Sequence, residues 1–449
     1  MYDTLIRGGM LVREQGVERA DLAISDQQVV AIATELSGAA KQEIAADGLH
    51  LFPGGIDPHM HCNDPGRSDW EGFPTATAAL ALGGFTSMID MPLNAHPPTC
   101  DAASFAAKMA AAHGRTTVDY ALWGGLVPGN RADLAELAAL GVVGFKAFMS
   151  NSGTSDFMAA DELTLYEGMQ EAARLGRVVA VHAESNQITA ALSERAIAAG
   201  RTGIRDYLES RPIIAELEAI GSAIVLAEAT KCKLHIVHVS SGRGITMVAE
   251  ARARGVDVSC ETCPHYLIFT GEDVERLGAV AKCAPPLRDR HEVEALWELI
   301  SQGQIEMVTS DHSPAPPDMK TDPNFFKVWG GISGCQSTLG IMLHEGYRRR
   351  GLALYHFAAL LAGGAARRFG LWPRKGQIAI GSAADLVLID LRQQITLQRK
   401  DLHYQHQLSP YIGMPHTGKI IRTILRGTTI VQQGQMIASG RGQFLPHPA

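Results

Sequence analysis

The 449-residue chain is poor in charge and has no block of one sign. Charged residues make up 19%, and 40 Lys and Arg stand against 47 Asp and Glu for a formal net charge of −7. A nucleic-acid partner is therefore not expected, because a phosphate-binding surface needs clustered cations. No run of 18 apolar residues occurs, so nothing should span a membrane. The opening Met1-Tyr2-Asp3-Thr4-Leu5-Ile6-Arg7 lacks the basic-then-apolar layout of a secretion signal. The seven cysteines (62, 100, 232, 260, 263, 283 and 335) are odd in number and irregularly spaced. That excludes a disulfide framework and fits reduced thiols in the cytoplasm. What the chain does have is 46% AVILMFWYC side chain, enough for a large core, and 17 histidines. Such apolar content excludes a disordered chain.

From residue 51 onward, short apolar runs alternate with longer Ala/Leu/Glu-rich segments of helical period. The expected strands are Gly55–His61, Phe85–Met91, Val118–Gly124, Val142–Phe148, Val178–His182, Leu234–Val239, Val256–Thr262 and Ile305–Asp311. Helices are expected at Arg131–Leu140, Ala160–Leu175, Ile213–Thr230 and His291–Ser301. Eight strand–helix units over roughly 260 residues match an α/β fold of the (β/α)₈ TIM-barrel type. An open doubly wound sheet would show fewer strands and a Gly-rich turn after the first. The two ends differ from the middle. Leu5-Ile6-Arg7-Gly8 is echoed by Ile424-Leu425-Arg426-Gly427, and Ala20-Asp21-Leu22 by Ala384-Asp385-Leu386. Neither end alone has strands enough for a stable sheet. The expected arrangement is a small β-sandwich domain built from 1–52 and 373–449, with the barrel inserted over 53–372.

His59-Met60-His61 closes the first expected barrel strand. Strand residues two apart share a face, so both imidazoles can reach one metal ion. A lone His-x-His is also met as two ordinary polar residues. Here it has company: His182 ends the fifth expected strand, His238 the sixth and Asp311 the eighth. Each follows an apolar run at the strand end where barrel enzymes place their chemistry. Buried together, four histidines and an aspartate each need a partner, and a metal centre supplies one to all of them. Lys146 ends the fourth expected strand. It either snorkels to solvent or faces the cluster. Beside two cations its ammonium would be disfavoured, and a neutral amine can take up carbon dioxide as a carbamate.

On these residues the chain resembles the cyclic amidohydrolases, the group of dihydroorotases, hydantoinases and allantoinases, nearly end to end. The resemblance implies a binuclear site with carboxylated Lys146 (N6-carboxylysine) bridging two divalent ions. His59 and His61 would hold one ion and His182 and His238 the other, with Asp311 both a ligand and the proton shuttle. Zinc suits these donors, as do iron, cobalt, manganese and nickel. The resemblance is strongest to the allantoinase branch. It runs through His61-Cys62-Asn63-Asp64-Pro65-Gly66-Arg67-Ser68, Met91-Pro92-Leu93-Asn94, Cys260-Glu261-Thr262-Cys263-Pro264-His265-Tyr266, Ser310-Asp311-His312-Ser313-Pro314 and Trp329-Gly330-Gly331-Ile332.

Two departures from the sister enzymes point the same way. Dihydroorotases place an arginine for the substrate carboxylate where this chain has Asn63. Hydantoinases place an oxyanion-stabilising tyrosine where it has Asn151. The resemblance thus implies hydrolytic opening of the neutral allantoin ring to allantoate, within purine (urate) degradation. Hydantoinase or dihydropyrimidinase activity is the alternative. It also implies a cytoplasmic homotetramer acting on a small molecule.

Remaining pocket candidates are Asn63, Asn94 at the end of the second strand, His265 at the end of the seventh, Ala284 and Gly330. Ala284 lies in Lys282-Cys283-Ala284-Pro285-Pro286-Leu287-Arg288, which resembles the family segment whose backbone binds the ring amide. The glycines at 330, 331 and 334 fit close backbone approach to a ligand or a mobile lid. His312 follows Asp311 directly and should face away from the site. Cys260 and Cys263 read as packed thiols, since a structural zinc needs four ligands.

Overall fold

The structure, a computed structural model, describes residues 1–448. Eight parallel strands form the barrel. Strands 1 to 3 are Gly55–Met60, Phe85–Asp90 and Asp119–Leu122. Strands 4 to 8 are Gly144–Phe148, Val178–His182, Lys233–Ile236, Val258–Thr262 and Met307–Val308. The third strand breaks at Trp123: its first part pairs with strand 2, and Gly124–Gly125 pairs with strand 4. Between strands 8 and 1 the barrel closes through a bridge of Met60 to His312 and a 2.9 Å bond from His61 N to His312 O.

Alternation along the strands sorts side chains between two apolar clusters. Val178 and Ala180 point into the barrel with Ile56, Trp123 and Phe369. Val179 and Val181 point out toward the helices with Phe145 and Ala147. The expected helices are present, with ends set by caps. Glu162–Arg174 starts where Asp161 accepts from Thr164 N, Arg290–Ser301 where Asp289 accepts from Glu292 N, and Ile213–Thr230 stops at left-handed Lys231. The Arg131–Leu140 segment is instead a 3-10 turn, Arg131–Asp133, followed by the helix Leu134–Ala139.

Both chain ends contribute to one nine-stranded sheet, which combines strands within Tyr2–Pro53 with strands within Leu386–Met436. It curls back on itself. The edge strand Gln28–Ala33 reaches the segment just before Leu386, with Val29 N bonded to Ser382 O at 3.0 Å and Ala384 N to Gln27 O at 2.8 Å. Ile6, Leu22, Ile44, Leu386, Leu388 and Ile424 fill the space enclosed. A buried ionic knot fastens this sheet to the barrel. Lys375 Nζ lies 2.8 Å from Asp119 on strand 3 and also binds Asp385, while Arg426 binds Asp119. Among the described residues no helix is long and apolar enough to cross a membrane.

The tail completes the barrel floor, where the lower half of strand 3 has no neighbour on its strand-4 side. Tyr120 N donates to Gln443 O (3.0 Å), Leu445 N to Tyr120 O (2.7 Å) and His447 N to Gly141 O (2.9 Å). Leu445, 5% exposed, joins the barrel-interior cluster. Leu445→Ala should therefore lower stability by about 2–4 kcal/mol, as for other buried leucines. Urea unfolding of the variant beside the parent measures it, and an unchanged midpoint would show that the tail only lies on the surface.

Candidate active site

The chemistry-bearing side chains gather at the C-terminal ends of the barrel strands. His59, His61 and Asp311 each offer a ligand atom within 4.8 Å of the others. Asp311 Oδ1 lies 3.2 Å from His59 Nε2 and 3.5 Å from His61 Nε2. The far nitrogens are already committed: His61 Nδ1 donates to Leu93 O at 2.8 Å, and His59 Nδ1 binds the Glu261 carboxylate. Each Nε2 is thus the nitrogen left facing the cluster. That is how a ligating imidazole is oriented.

A second pair stands beside the first. His182 Nδ1 is 3.0 Å from His238 Nε2, and the His238 ring stacks 5.4 Å from that of His59. His182 Nε2 binds Glu184 at 2.9 Å, and Glu184 in turn binds Arg211. Burial lowers the pKa of His61, His182 and His238. The neutral imidazole is the form that can donate a lone pair. Burial alone would raise the Asp311 pKa, but the neighbouring His59 and His61 outweigh that and hold it below the usual carboxylate range.

Lys146 points into the same space. It shares its inward face with Phe148, whose ring lies 4.8 Å from Nζ and stacks on His182 at 4.6 Å. Its side chain is 0% exposed, and Nζ has no hydrogen-bond partner among the described residues. Burial pulls the amine down to about 7, against weaker opposing pulls from Glu261 and Asp311. An uncompensated ammonium at this depth is costly. A cation-binding anion made from the amine removes the cost, so the donor set fits a divalent metal centre.

Several expected placements need correction. Lys146 is the middle residue of its strand rather than the last. His61, His238 and Asp311 lie beyond their strands, which end at Met60, Ile236 and Val308. His238 and Asp311 adopt positive φ (39° and 45°), a left-handed turn that breaks the ladder and swings the side chain toward the barrel axis. His265 does not end the seventh strand, because Cys263 leaves it and Pro264 starts a short helix, Pro264–Ile268. The imidazole still arrives in the site, 0% exposed and with both nitrogens unpartnered. Asn94 lies in a loop, four residues past the end of strand 2 at Asp90.

Asn94 Nδ2 donates to Asn63 Oδ1 at 3.1 Å, and Asn63 Nδ2 to Pro314 O at 3.3 Å, so the two buried amides form one neutral patch. The nearby Arg67 is already engaged by Asn94 O and, at 3.0 Å, by Asp156. Ala284 is half-buried and Gly330 exposed, while the exposed Asn151 closes a turn onto Gly153 N and donates its own N–H to Asn186. His312 turns away, accepting from Gly334 N at 3.2 Å and packing on Tyr404. Cys260 and Cys263 are buried free thiols beside Glu306 and Thr309.

Glu261, His235, Glu184 and Arg211 had no role in the reading of the sequence. Their signal was faint: Ser259 and Glu261 alternate with Val258, Cys260 and Thr262 along their strand, and Glu184 follows His182 by two. Glu261 receives His59 on one oxygen and His235 Nε2 (3.1 Å) on the other.

Comparison with known proteins agrees with this geometry. The model of the amidohydrolase family matches residues 50–430, and the chain belongs to that family. Within it, the chain is 57% identical over 444 residues to an allantoinase of Rubrobacter xylanophilus, covering 99% of this chain and 97% of that one. An allantoinase of Escherichia coli is 43% identical, with 99% and 98% covered. Among solved structures, the L-hydantoinase (dihydropyrimidinase) from Arthrobacter aurescens superposes with a TM-score of 0.97 at 35% identity, over 99% of this chain and 100% of that one.

Glu261→Gln keeps the shape of the carboxylate but weakens its hold on His59. Loss of such an outer partner typically costs about 10–100-fold in metal affinity. Elemental analysis after dialysis against a graded chelator series should show metal leaving the variant at lower chelator. Identical retention would show that Glu261 is a packing residue only.

Proposed function

We propose that this chain opens the five-membered ring of allantoin by hydrolysis to give allantoate, using two divalent cations. The observation that carries the reading is Lys146, a fully buried amine with no hydrogen-bond partner among the described residues, set beside His182, His238 and Asp311. Attack of the neutral amine on carbon dioxide, with loss of one proton, gives a carbamate whose two oxygens suit two cations. His59, His61 and Asp311 would hold one ion, His182 and His238 the other, and carboxylated Lys146 both. Nitrogen and oxygen donors of this kind suit zinc first, and also iron, cobalt, manganese or nickel.

When bound, the cations acidify water and polarise the ring carbonyl. The chain supplies the rest. Asp311, kept ionised, takes the proton of the attacking water on a carboxylate oxygen and returns it to the leaving ring nitrogen. His265 has two free ring nitrogens, and burial lowers its pKa to about 4, so it meets the substrate as a neutral imidazole. Asn63 and Asn94 offer amides to the ureido arm, and the free peptide groups of Ala284 and Gly330 offer further hydrogen bonds. Seven free cysteines accord with a cytoplasmic setting. A homotetrameric assembly rests on the group resemblance.

Substrate choice follows from the neutral patch. Dihydroorotate brings a carboxylate that needs a matched cation, and near Asn63 the arginines are already spent, Arg67 on Asp156 and Arg115 on Asp64. A site built to bond the ureido arm also rejects a ring that lacks it, since its own polar groups are then left unpaired. Steady-state kinetics on allantoin, hydantoin, dihydrouracil and dihydroorotate should give the highest kcat/KM for allantoin, weaker turnover of hydantoin and little of dihydroorotate. Preference for hydantoin or dihydroorotate would overturn the substrate assignment while leaving the metal chemistry intact.

A further inference from the structure

Two lysines outside the metal cluster are used in an unusual way. Lys282 leaves the segment that carries Ala284 and sends its ammonium across to the loop after strand 8. There it donates to the carbonyl oxygens of Phe325 (2.6 Å), Phe326 (3.3 Å) and Val328 (2.5 Å). Lys320 starts in that loop and reaches back, donating to Ala279 O (3.2 Å), Trp329 O (2.9 Å) and Gly331 O (2.7 Å). Four of these six charge-assisted bonds to main-chain oxygens cross between the two segments, from both sides, and the other two close the loop of Lys320 on itself. Such bonds are roughly twice as strong as neutral ones.

The carbonyls that these bonds occupy have a pattern. Gly330 lies between Trp329 and Gly331, and Lys320 takes the oxygens of both neighbours. Gly330 itself makes no hydrogen bond with the rest of the described chain. Ala284 repeats the arrangement on the facing segment. Cys283 O accepts from Tyr207 Oη at 2.9 Å and Pro285 O from Tyr266 Oη at 2.6 Å, while the Ala284 peptide groups bond to no other described residue. Each free peptide unit is therefore held from both sides by side-chain donors. The loop also abuts the strand that leads to Asp311: Ser313 N donates to Ile332 O at 3.0 Å, and a Cβ on Gly331 would overlap Ser313 O.

Holding a loop this way is costly. Burial lowers both ammonium groups to about 7, and the charge of Lys320 adds to the pressure on Lys282. Apolar side chains would secure a loop without two facing cations. The arrangement makes sense where main-chain oxygens on either side of a working peptide must be fixed without filling the space in front of it. Near Gly330 the space is open, its nearest would-be contact being Lys282 Cε at 3.9 Å.

We infer that Lys282 and Lys320 form a clasp that holds the Gly330 peptide group at a set distance from Ala284, whose own flanking carbonyls are fixed by Tyr207 and Tyr266, and that this placement of Gly330 selects the substrate by its ureido arm. They are positioning residues, touching neither metal nor substrate. The inference rests on the ring-opening reading above.

The test uses Lys282→Met and Lys320→Met, which keep an apolar stem and remove the charge, in the metal-loaded full chain. For each, KM and kcat are measured on allantoin and on hydantoin, which has the same ring without the arm. Metal content and hydrogen exchange of residues 317–334 are read alongside. The clasp predicts faster exchange in that loop, unchanged metal content and a KM for allantoin raised about tenfold, the scale of one lost hydrogen bond to a polar substrate. It also predicts hydantoin constants within about twofold of the parent. Faster exchange with the allantoin KM unchanged would overturn the inference, and so would an equal loss on both substrates. If Lys282→Met does not fold, Lys320→Met, at the less buried of the two positions, carries the test alone. If the parent does not turn over allantoin, the ring-opening reading fails by itself. Slow exchange in the parent, lost in the variants, would then still establish the clasp but not its selectivity.

Discussion

The constraint on which this structure turns is the burial of Lys146. A primary amine sits at 0% exposure with no hydrogen-bond partner among the described residues, while acidic and imidazole groups crowd the same barrel mouth. Left alone, that arrangement works against folding, because each buried polar group forfeits its water. Cations held by the histidines, Asp311 and a carbamate on Lys146 would settle every one of these groups together. The tolerance of the fold for this strain comes from its outer partners. Glu261 and Leu93 O fix the first histidine pair, and Glu184 with Arg211 fixes His182.

Around this centre the parts of the molecule are fastened in different ways. The barrel interior below is apolar and plugged at its floor by Leu445. The curled sheet of the two chain ends is tied on through Lys375, Asp119 and Asp385. Above the centre, loops meet through polar bonds as well as aromatic contacts such as Trp70 on Trp329. Arg67 joins the loops after strands 1, 2 and 4 by binding Asn94 O and Asp156, and the two lysines join those after strands 7 and 8. Polar fastening of this kind holds a shape while leaving peptide groups free to receive a polar ligand.

Much of this was legible in the sequence, for identifiable reasons. The eight strands show because each is a short apolar run between helical segments, and His59, Lys146, His182 and Asp311 show because each interrupts or ends such a run. Placement failed where the chain leaves the ladder. Nothing in the apolar pattern around His238 or Asp311 announces a left-handed turn, and Asn94 and His265 were set on strands that had already ended. Partnerships were not readable at all. His59 and Glu261 are 202 residues apart, and Lys282 reaches carbonyls more than 40 residues away. A main-chain oxygen carries no sequence signal, so the clasp appears only when the loops are seen together.

The measurement that bears most directly on this account is carbon-13 NMR of the metal-loaded protein, reconstituted in labelled bicarbonate. A carbamate on Lys146 predicts one labelled carbon per chain that appears with metal and turnover, and is absent from the Lys146→Ala protein. An active, metal-replete enzyme with no such carbon, and Lys146 present as a free amine, would contradict the account at its centre.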